Sequence, residues 1–310
     1  MDNNDIIDTQ AAGVPDGGTQ AAPAAGPARR SGFPEWYDYI AIALLFIASG
    51  AVNLIVSALC GVIEDNLNPP LDVPDPDPDM LIVNSSAFSN MMGYVAGMIF
   101  LVAMVLVYRH FRGGRGRIVR FSPRGFDPLL LLEGFVVLIA VSIVLSPLVE
   151  LLPGKPDYSR MVGRDGWALL STVVFAPLFE EFLFRGVILE STWRRYGAVA
   201  AWLVSSLCFG AVHMMLSSMV AAASIGLILG YLYIRSRSLF GGIMLHALNN
   251  ELAMILLIIG FEDFSLAAIL PANVYRVVYA VSAVIVVWWL VHAWRNVRAA
   301  GRMEQMSSAA

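Results

Sequence analysis

Three charged residues lie within six positions of one another inside a long apolar run, FAPLFEEFLFRGVILEST: Glu180, Glu181 and Arg185. A charge at mid-bilayer costs ~2.5–3.5 kcal/mol on insertion scales, so such residues face a bundle interior and mark a pathway or a site. Glu181 and Arg185 are four apart, share one helical face and stand in the favoured order for a Glu–Arg pair. Glu180 is turned about 100° from its neighbour. The spacing predicts a structural Glu181–Arg185 pair and leaves Glu180 free to act. A carboxylate held without a cation in a poorly hydrated cavity suits a general base working near neutral pH. The alternative is a single knot of ion pairs that orients the bundle.

Two further stretches carry chemistry. CFGAVHM places Phe209 and His213 four apart, and GGIMLHALNNE does the same for His246 and Asn250. A lone histidine on an apolar face is usually a satisfied core residue; two of them and a glutamate on three membrane helices point to a site. Glu180 and the histidines could hold a water that attacks a peptide carbonyl. They could instead ligate zinc through two His and a carboxylate. Asn250 could orient His246 or donate to a developing oxyanion. The soluble zinc-protease signature H-E-x-x-H, the Gly-x-Ser-x-Gly elbow and a Gly-rich phosphate loop are all missing. Gly241 and Gly242 permit close helix packing or a break in the backbone.

These residues need a scaffold, and the composition says which. Of 310 residues, 58% are apolar and 14% charged, against about a quarter charged in soluble domains. The apolar residues form long runs, as a bilayer requires. The expected fold is an all-α, polytopic transmembrane helix bundle with about eight spans, near 38–62, 86–108, 128–152, 168–190, 198–216, 219–234, 240–260 and 273–294. Cys60 and Cys208 lie in apolar runs and suggest neither a disulfide framework nor a thiolate metal site. No basic block reads as a nucleic-acid surface. Arginines flank alternate spans: Arg109 to Arg124 after the second, Arg194 and Arg195 after the fourth, Arg235 and Arg237 after the sixth, Arg295 to Arg302 after the eighth. That alternation predicts that both termini are cytoplasmic.

Residues 1–35, rich in Ala, Gly, Pro and Asp, read as a disordered cytoplasmic tail rather than a signal peptide. Residues 36–127 read as two helices with an acidic outer loop (DVPDPDPD at 72–79) and a basic inner loop, 128–296 as the catalytic bundle, and 297–310 as a cytoplasmic tail. One expectation fits poorly. Counted from the arginine clusters at ~1.5 Å per residue, Glu180 and His213 lie deep while His246 lies nearer the cytoplasm.

EEFLFRG, CFGAVH and LHALNN resemble the three motifs of the CAAX protease and bacteriocin-processing family, also called CPBP or Abi: two adjacent Glu with an Arg four after the second, Phe-x-x-x-His, and His-x-x-x-Asn or Asp. They appear in that order across roughly residues 168–252. The resemblance implies an intramembrane endopeptidase with Glu180 as catalytic glutamate, His213 as its water-holding partner, and His246 with Asn250 as the oxyanion pair. Glu181 and Arg185 match accompanying positions, and Phe209 supports the site. Prenyl-protein members of the family look glutamate-dependent, so no cofactor is expected, with zinc the less favoured possibility. The implied partner is a peptide or membrane-anchored protein within the bilayer, with no nucleic acid. The sequence leaves substrate and oligomeric state open. In a bacterium the location would be the cytoplasmic membrane. Two other readings use the same polar cavity: a non-catalytic binding, immunity or regulatory protein, and a proton-coupled carrier. The second lacks the internal repeat that carriers commonly show.

Overall fold

In a bilayer the backbone must satisfy its own polar groups, so long apolar runs become helices. The protein is described here by a computed structural model covering residues 32–67, 86–114, 121–123, 126–153, 165–260 and 266–309. Among these residues there are helices and no strands: α1 (Trp36–Leu67), α2 (Ala87–Phe111), α3 (Pro128–Leu151), α4 (Gly166–Tyr196), α5 (Ala198–Ala211), α6 (Leu216–Ser236), α7 (Leu239–Ile258), the one-turn α8 (Leu266–Ile269) and α9 (Ala272–Ala309). The N-terminal tail, the Asp-Pro run at 72–79 and the loop from Lys155 to Arg164 lie outside the described residues.

The chain is an integral, multi-pass all-α membrane protein. Among the described residues seven helices are long and apolar enough to cross, whereas the sequence suggests about eight. The difference is the fifth expected span, 198–216. It is α5, only 14 residues, or ~21 Å against a hydrocarbon core of ~30 Å. Hydropathy misses its end because FGAVHMML stays apolar and holds no Pro, Asn or Asp. The helix stops at Ala211, and Met214 takes a left-handed φ of 61° in the turn. The chain then returns as α6, which is 21 residues long rather than the short segment anticipated. This hairpin is tight because Gly210 lies against Ala223 and the Met219 carbonyl, and Gly226 against Ser206. Small residues at such a contact let helix backbones approach closely.

Local signals set the helix starts. Asp127 caps α3 just before Pro128, Asp165 caps α4, and Ser238 caps α7. Each side chain accepts from otherwise unpaired first-turn N–H groups. Gly197, at φ 87°, ends α4 and lets α5 begin at once.

Helix α4 sits between two cores. Leu183, Phe184, Val187 and Ile188 pack toward α1 and α2, while Leu189 and Trp193 pack toward α3, α5, α6, α7 and α9.

Arginine-bearing helix ends gather at one end of the bundle. Arg195 pairs with Glu35 ahead of α1 (2.6 Å), Arg112 after α2 pairs with Asp38 (2.8 Å), and Arg194 and Arg237 both reach Glu190 (2.9 and 3.3 Å). Asp38 holds the Arg112 guanidinium proton more tightly than usual, through its hydrogen bond and its charge. Gly301 on α9 lies against Ala198 at the same end. Trp193 and Trp289 are buried, the first beneath the Arg237 guanidinium at 4.0 Å.

Candidate active site

The two glutamates ride on an irregular stretch of α4. Residues Ala176–Glu181 are α-helical, and the segments on either side, Leu170–Phe175 and Phe182–Leu189, are wound as π-helix. Pro177 explains the first widening, and π-turns recur at functional sites. In the π pattern Ala176 donates its N–H to the Ser171 carbonyl five residues back. Pro177 has no N–H for the next carbonyl in that series, Thr172. Asn250 on α7 donates its Nδ2 there instead, at 2.8 Å. A side chain from α7 thus completes the backbone that carries the glutamates.

Glu181 and Arg185 form the pair that their spacing predicted. Their atoms lie 2.6 Å apart with both side chains fully buried. Arg185 also donates to the Gly226 carbonyl (3.1 Å) and lies over the Phe209 ring at 4.6 Å. Across from them stands Gly242 of α7: a Cβ there would sit 2.8 Å from Glu181 Oε2, whereas one at Gly241 would meet nothing. Helix α7 runs unbroken through both glycines, so there is no backbone break, and only Gly242 serves close packing.

Glu180 takes a different environment. Its side chain is 18% exposed, and Oε2 faces His246 Nε2 at 3.8 Å. Its other oxygen, Oε1, accepts from the Tyr94 hydroxyl of α2 at 3.1 Å. His246 is nearly buried, with Nδ1 3.3 Å from Glu181 Oε1 but not aligned for a hydrogen bond. Glu181 Oε2, Arg185 Nε and His246 Nδ1 all lack hydrogen-bond partners. Unsatisfied buried atoms are costly and scarce in a core, so three in one patch are characteristic of a site.

The depth problem resolves at Glu190. That residue meets Arg237 where α7 is about to begin, so it marks the level better than Arg194 does. The contacts of His246 with Glu180 Oε2 at 3.8 Å and Glu181 Oε1 at 3.3 Å then put all three side chains at one level.

His213 lies in the α5–α6 turn, just beyond the helix on which it was expected. Its Nδ1 is 2.8 Å from the Phe209 carbonyl. A carbonyl only accepts, so Nδ1 carries the proton and Nε2 of the neutral ring is left as an acceptor. The Phe209 ring separates the histidines, with His213 edge-on at 5.1 Å and His246 at 5.5 Å. The structure therefore brings together Glu180, Glu181, Arg185, Phe209 and His246. It sets His213 one ring away, with no ion pair to Glu180 among the described residues, and turns the Asn250 amide toward α4 rather than toward His246.

Among the described residues no three His, Cys, Asp or Glu side chains converge as a metal-ligand set.

Fold and site together describe a polytopic membrane protein with carboxylate and imidazole groups gathered inside its bundle. Residues 164–252 match the family described as Rce1-like, type II CAAX prenyl endopeptidase Rce1-like. The match runs from the start of α4 into α7 and takes in all three motifs; α1, α2, α3 and α9 fall outside it. The chain is 28% identical over 88 residues to a Bacillus subtilis (strain 168) protein named "Putative membrane peptidase YdiL", covering 28% of this chain and 36% of that protein. It is 27% identical over 169 residues to an Escherichia coli protein named "Uncharacterized 24.3 kDa protein", covering 51% of this chain and 76% of that one. The chain thus spans about a third of the length of the B. subtilis relative. No solved structure matches it.

Tyr94 was not legible from the sequence. It is an uncharged side chain on an apolar helix outside the three motifs. The Pro177–Thr172–Asn250 relation was readable only in part, since Pro177 announces a freed carbonyl but nothing in sequence says which side chain meets it.

Proposed function

We propose that this chain is an intramembrane endopeptidase that hydrolyses a peptide bond with a water activated by Glu180. One observation carries the reading: within a membrane bundle, the Glu180 carboxylate faces the His246 imidazole across 3.8 Å, while the neighbouring Glu181 is neutralised by Arg185. The gap is too long for a hydrogen bond and suits a group bridging both side chains. Glu180 takes a proton from the water, whose oxygen attacks the peptide carbonyl carbon. The carbonyl electron pair moves to oxygen, where His246 Nε2 donates a hydrogen bond. The C–N bond then breaks, and Glu180 returns the proton to the departing amine. His213, whose Nε2 is left to accept, borders the site through its contact with the Phe209 ring. General-base catalysis of this kind contributes ~10²–10⁴-fold, and an oxyanion donor ~10²–10³.

The substrate class is a peptide or membrane-anchored protein presented within the bilayer, in line with the family described above. The arginine-bearing end of the bundle is assigned to the cytoplasm by the positive-inside rule, which puts both ends of the described chain there. The test compares wild type, Glu180→Gln and Glu181→Gln in matched membranes by mass spectrometry of accumulated peptides, with and without a chelator. Fragments made by wild type and lost in Glu180→Gln support the reading. Unchanged fragments in Glu180→Gln sink it and favour a non-catalytic binding protein.

A further inference from the structure

Among the described residues, the one direct hydrogen bond to the Glu180 carboxylate comes from a helix outside the family match: the Tyr94 hydroxyl donates to Oε1 at 3.1 Å. The opposite oxygen is the one that faces His246. A glutamate side chain has three rotatable bonds, and in an apolar bundle nothing else on α4 fixes its last one. A tyrosine hydroxyl extends from a flat ring with few rotamers, so it makes a stiff anchor.

The helix that carries it is itself clamped. A Cβ at Gly97 would sit 2.8 Å from the Ser49 carbonyl, and one at Gly93 would run into Asn53 and Ser57 of α1. Ser57 donates to the Ser89 carbonyl (3.1 Å), tying α1 and α2 one turn before Tyr94. Sites held to productive geometry are those whose supporting groups ride on rigid, packed elements.

We propose that Tyr94 is a positioning residue for Glu180. It pins Oε1, so that Oε2 is the basic oxygen presented toward His246 and the scissile carbonyl. This rests on Glu180 acting as the base. It gives α1 and α2 a part in the chemistry: they hold the tyrosine that aims the carboxylate. The competing explanation is that Glu180 merely satisfies a buried tyrosine hydroxyl.

The decisive variant is Tyr94→Phe, which keeps the ring and removes only the donor. Two measurements on the purified full chain in lipid bilayers separate the explanations. Acid-induced infrared difference spectra of wild type, Glu180→Gln and Tyr94→Phe report the hydrogen bond without any substrate. The protonated-carboxyl band lost in Glu180→Gln is expected at higher wavenumber in Tyr94→Phe. The second measurement is the rate at which each protein forms the fragment that wild type makes and Glu180→Gln does not. Here kcat is expected to fall about tenfold or more in Tyr94→Phe, the loss of one hydrogen bond to a charged group, with KM unchanged and the protein still folded at the assay temperature. A shifted band with wild-type kcat overturns the positioning role, and an unshifted band overturns the hydrogen bond itself. Cleavage unaffected by Glu180→Gln overturns the peptidase reading instead, so the two failures are told apart.

Discussion

Removing the Arg185 guanidinium should be among the most damaging single changes in this molecule, and the structure says why. Arg185 and Glu181 both have fully buried side chains, 2.6 Å apart. Arg185→Met keeps length and apolar bulk but strands the Glu181 carboxylate in a low-dielectric interior. Breaking a buried pair from one side costs ~3–5 kcal/mol, because a charge is left without compensation. The lost contact over Phe209 adds to this by up to ~2 kcal/mol for a desolvated cation–π pair. The Gly226 carbonyl adds little, as a carbonyl can also accept within its own helix. The double variant Glu181→Leu/Arg185→Met removes both charges and should recover most of the loss, since apolar replacement of a buried pair is often neutral. The assay is reversible unfolding of the purified chain in bicelles, read as a double-mutant cycle with an interaction energy above ~2 kcal/mol. A loss under ~1 kcal/mol in Arg185→Met, the size seen for exposed pairs, would refute the buried-pair argument. So would a double variant no more stable than the single one.

Other outcomes follow from the same geometry. Gly242→Ala should lower the thermal midpoint by an amount equivalent to ~1–3 kcal/mol, because its Cβ would press on the buried Oε2 of the Glu181 carboxylate, whose other oxygen Arg185 holds. Gly241→Ala, with open space around its Cβ, should be neutral or stabilising by up to ~1 kcal/mol. Asn250→Ala should cost ~1–3 kcal/mol by leaving the Thr172 carbonyl without its donor. It should also lower cleavage through displacement of Glu180, which separates a scaffolding part from direct oxyanion contact: the latter alone would leave the thermal midpoint unchanged.

The sequence was informative where it paid a visible energetic penalty. Charges inside an apolar run cannot be neutral, and the four-residue spacing of Glu181 and Arg185 sufficed to foresee their pair. Histidines on separate apolar segments likewise pointed to a shared site, and His246 does face Glu180. What stayed hidden was uncharged or depended on helix ends. The α5–α6 turn is made of apolar residues, so hydropathy ran through it and carried α5 on to residue 216. That misplaced end also put His213 on a helix rather than in a turn. Counting from Arg194 and Arg195 puts His246 too near the cytoplasm, because the buried Glu190 meets Arg237 nearer the site. Constant rise per residue also fails along α4, where the winding alternates between α and π. Tyr94 and the Asn250–Thr172 bond connect distant segments through ordinary polar groups, and no local pattern encodes such a meeting.

The central claim is that Glu180, and not its neighbour, activates water. It is tested most directly with purified wild type and Glu180→Gln in liposomes, incubated with the membrane-anchored peptide whose fragment distinguishes them in cells, in water enriched in ¹⁸O. The account predicts that wild type releases a product with label in the new C-terminal carboxylate, while Glu180→Gln stays folded by its thermal midpoint and is slowed by ~10²-fold or more. Labelled product at the wild-type rate from folded Glu180→Gln would contradict it.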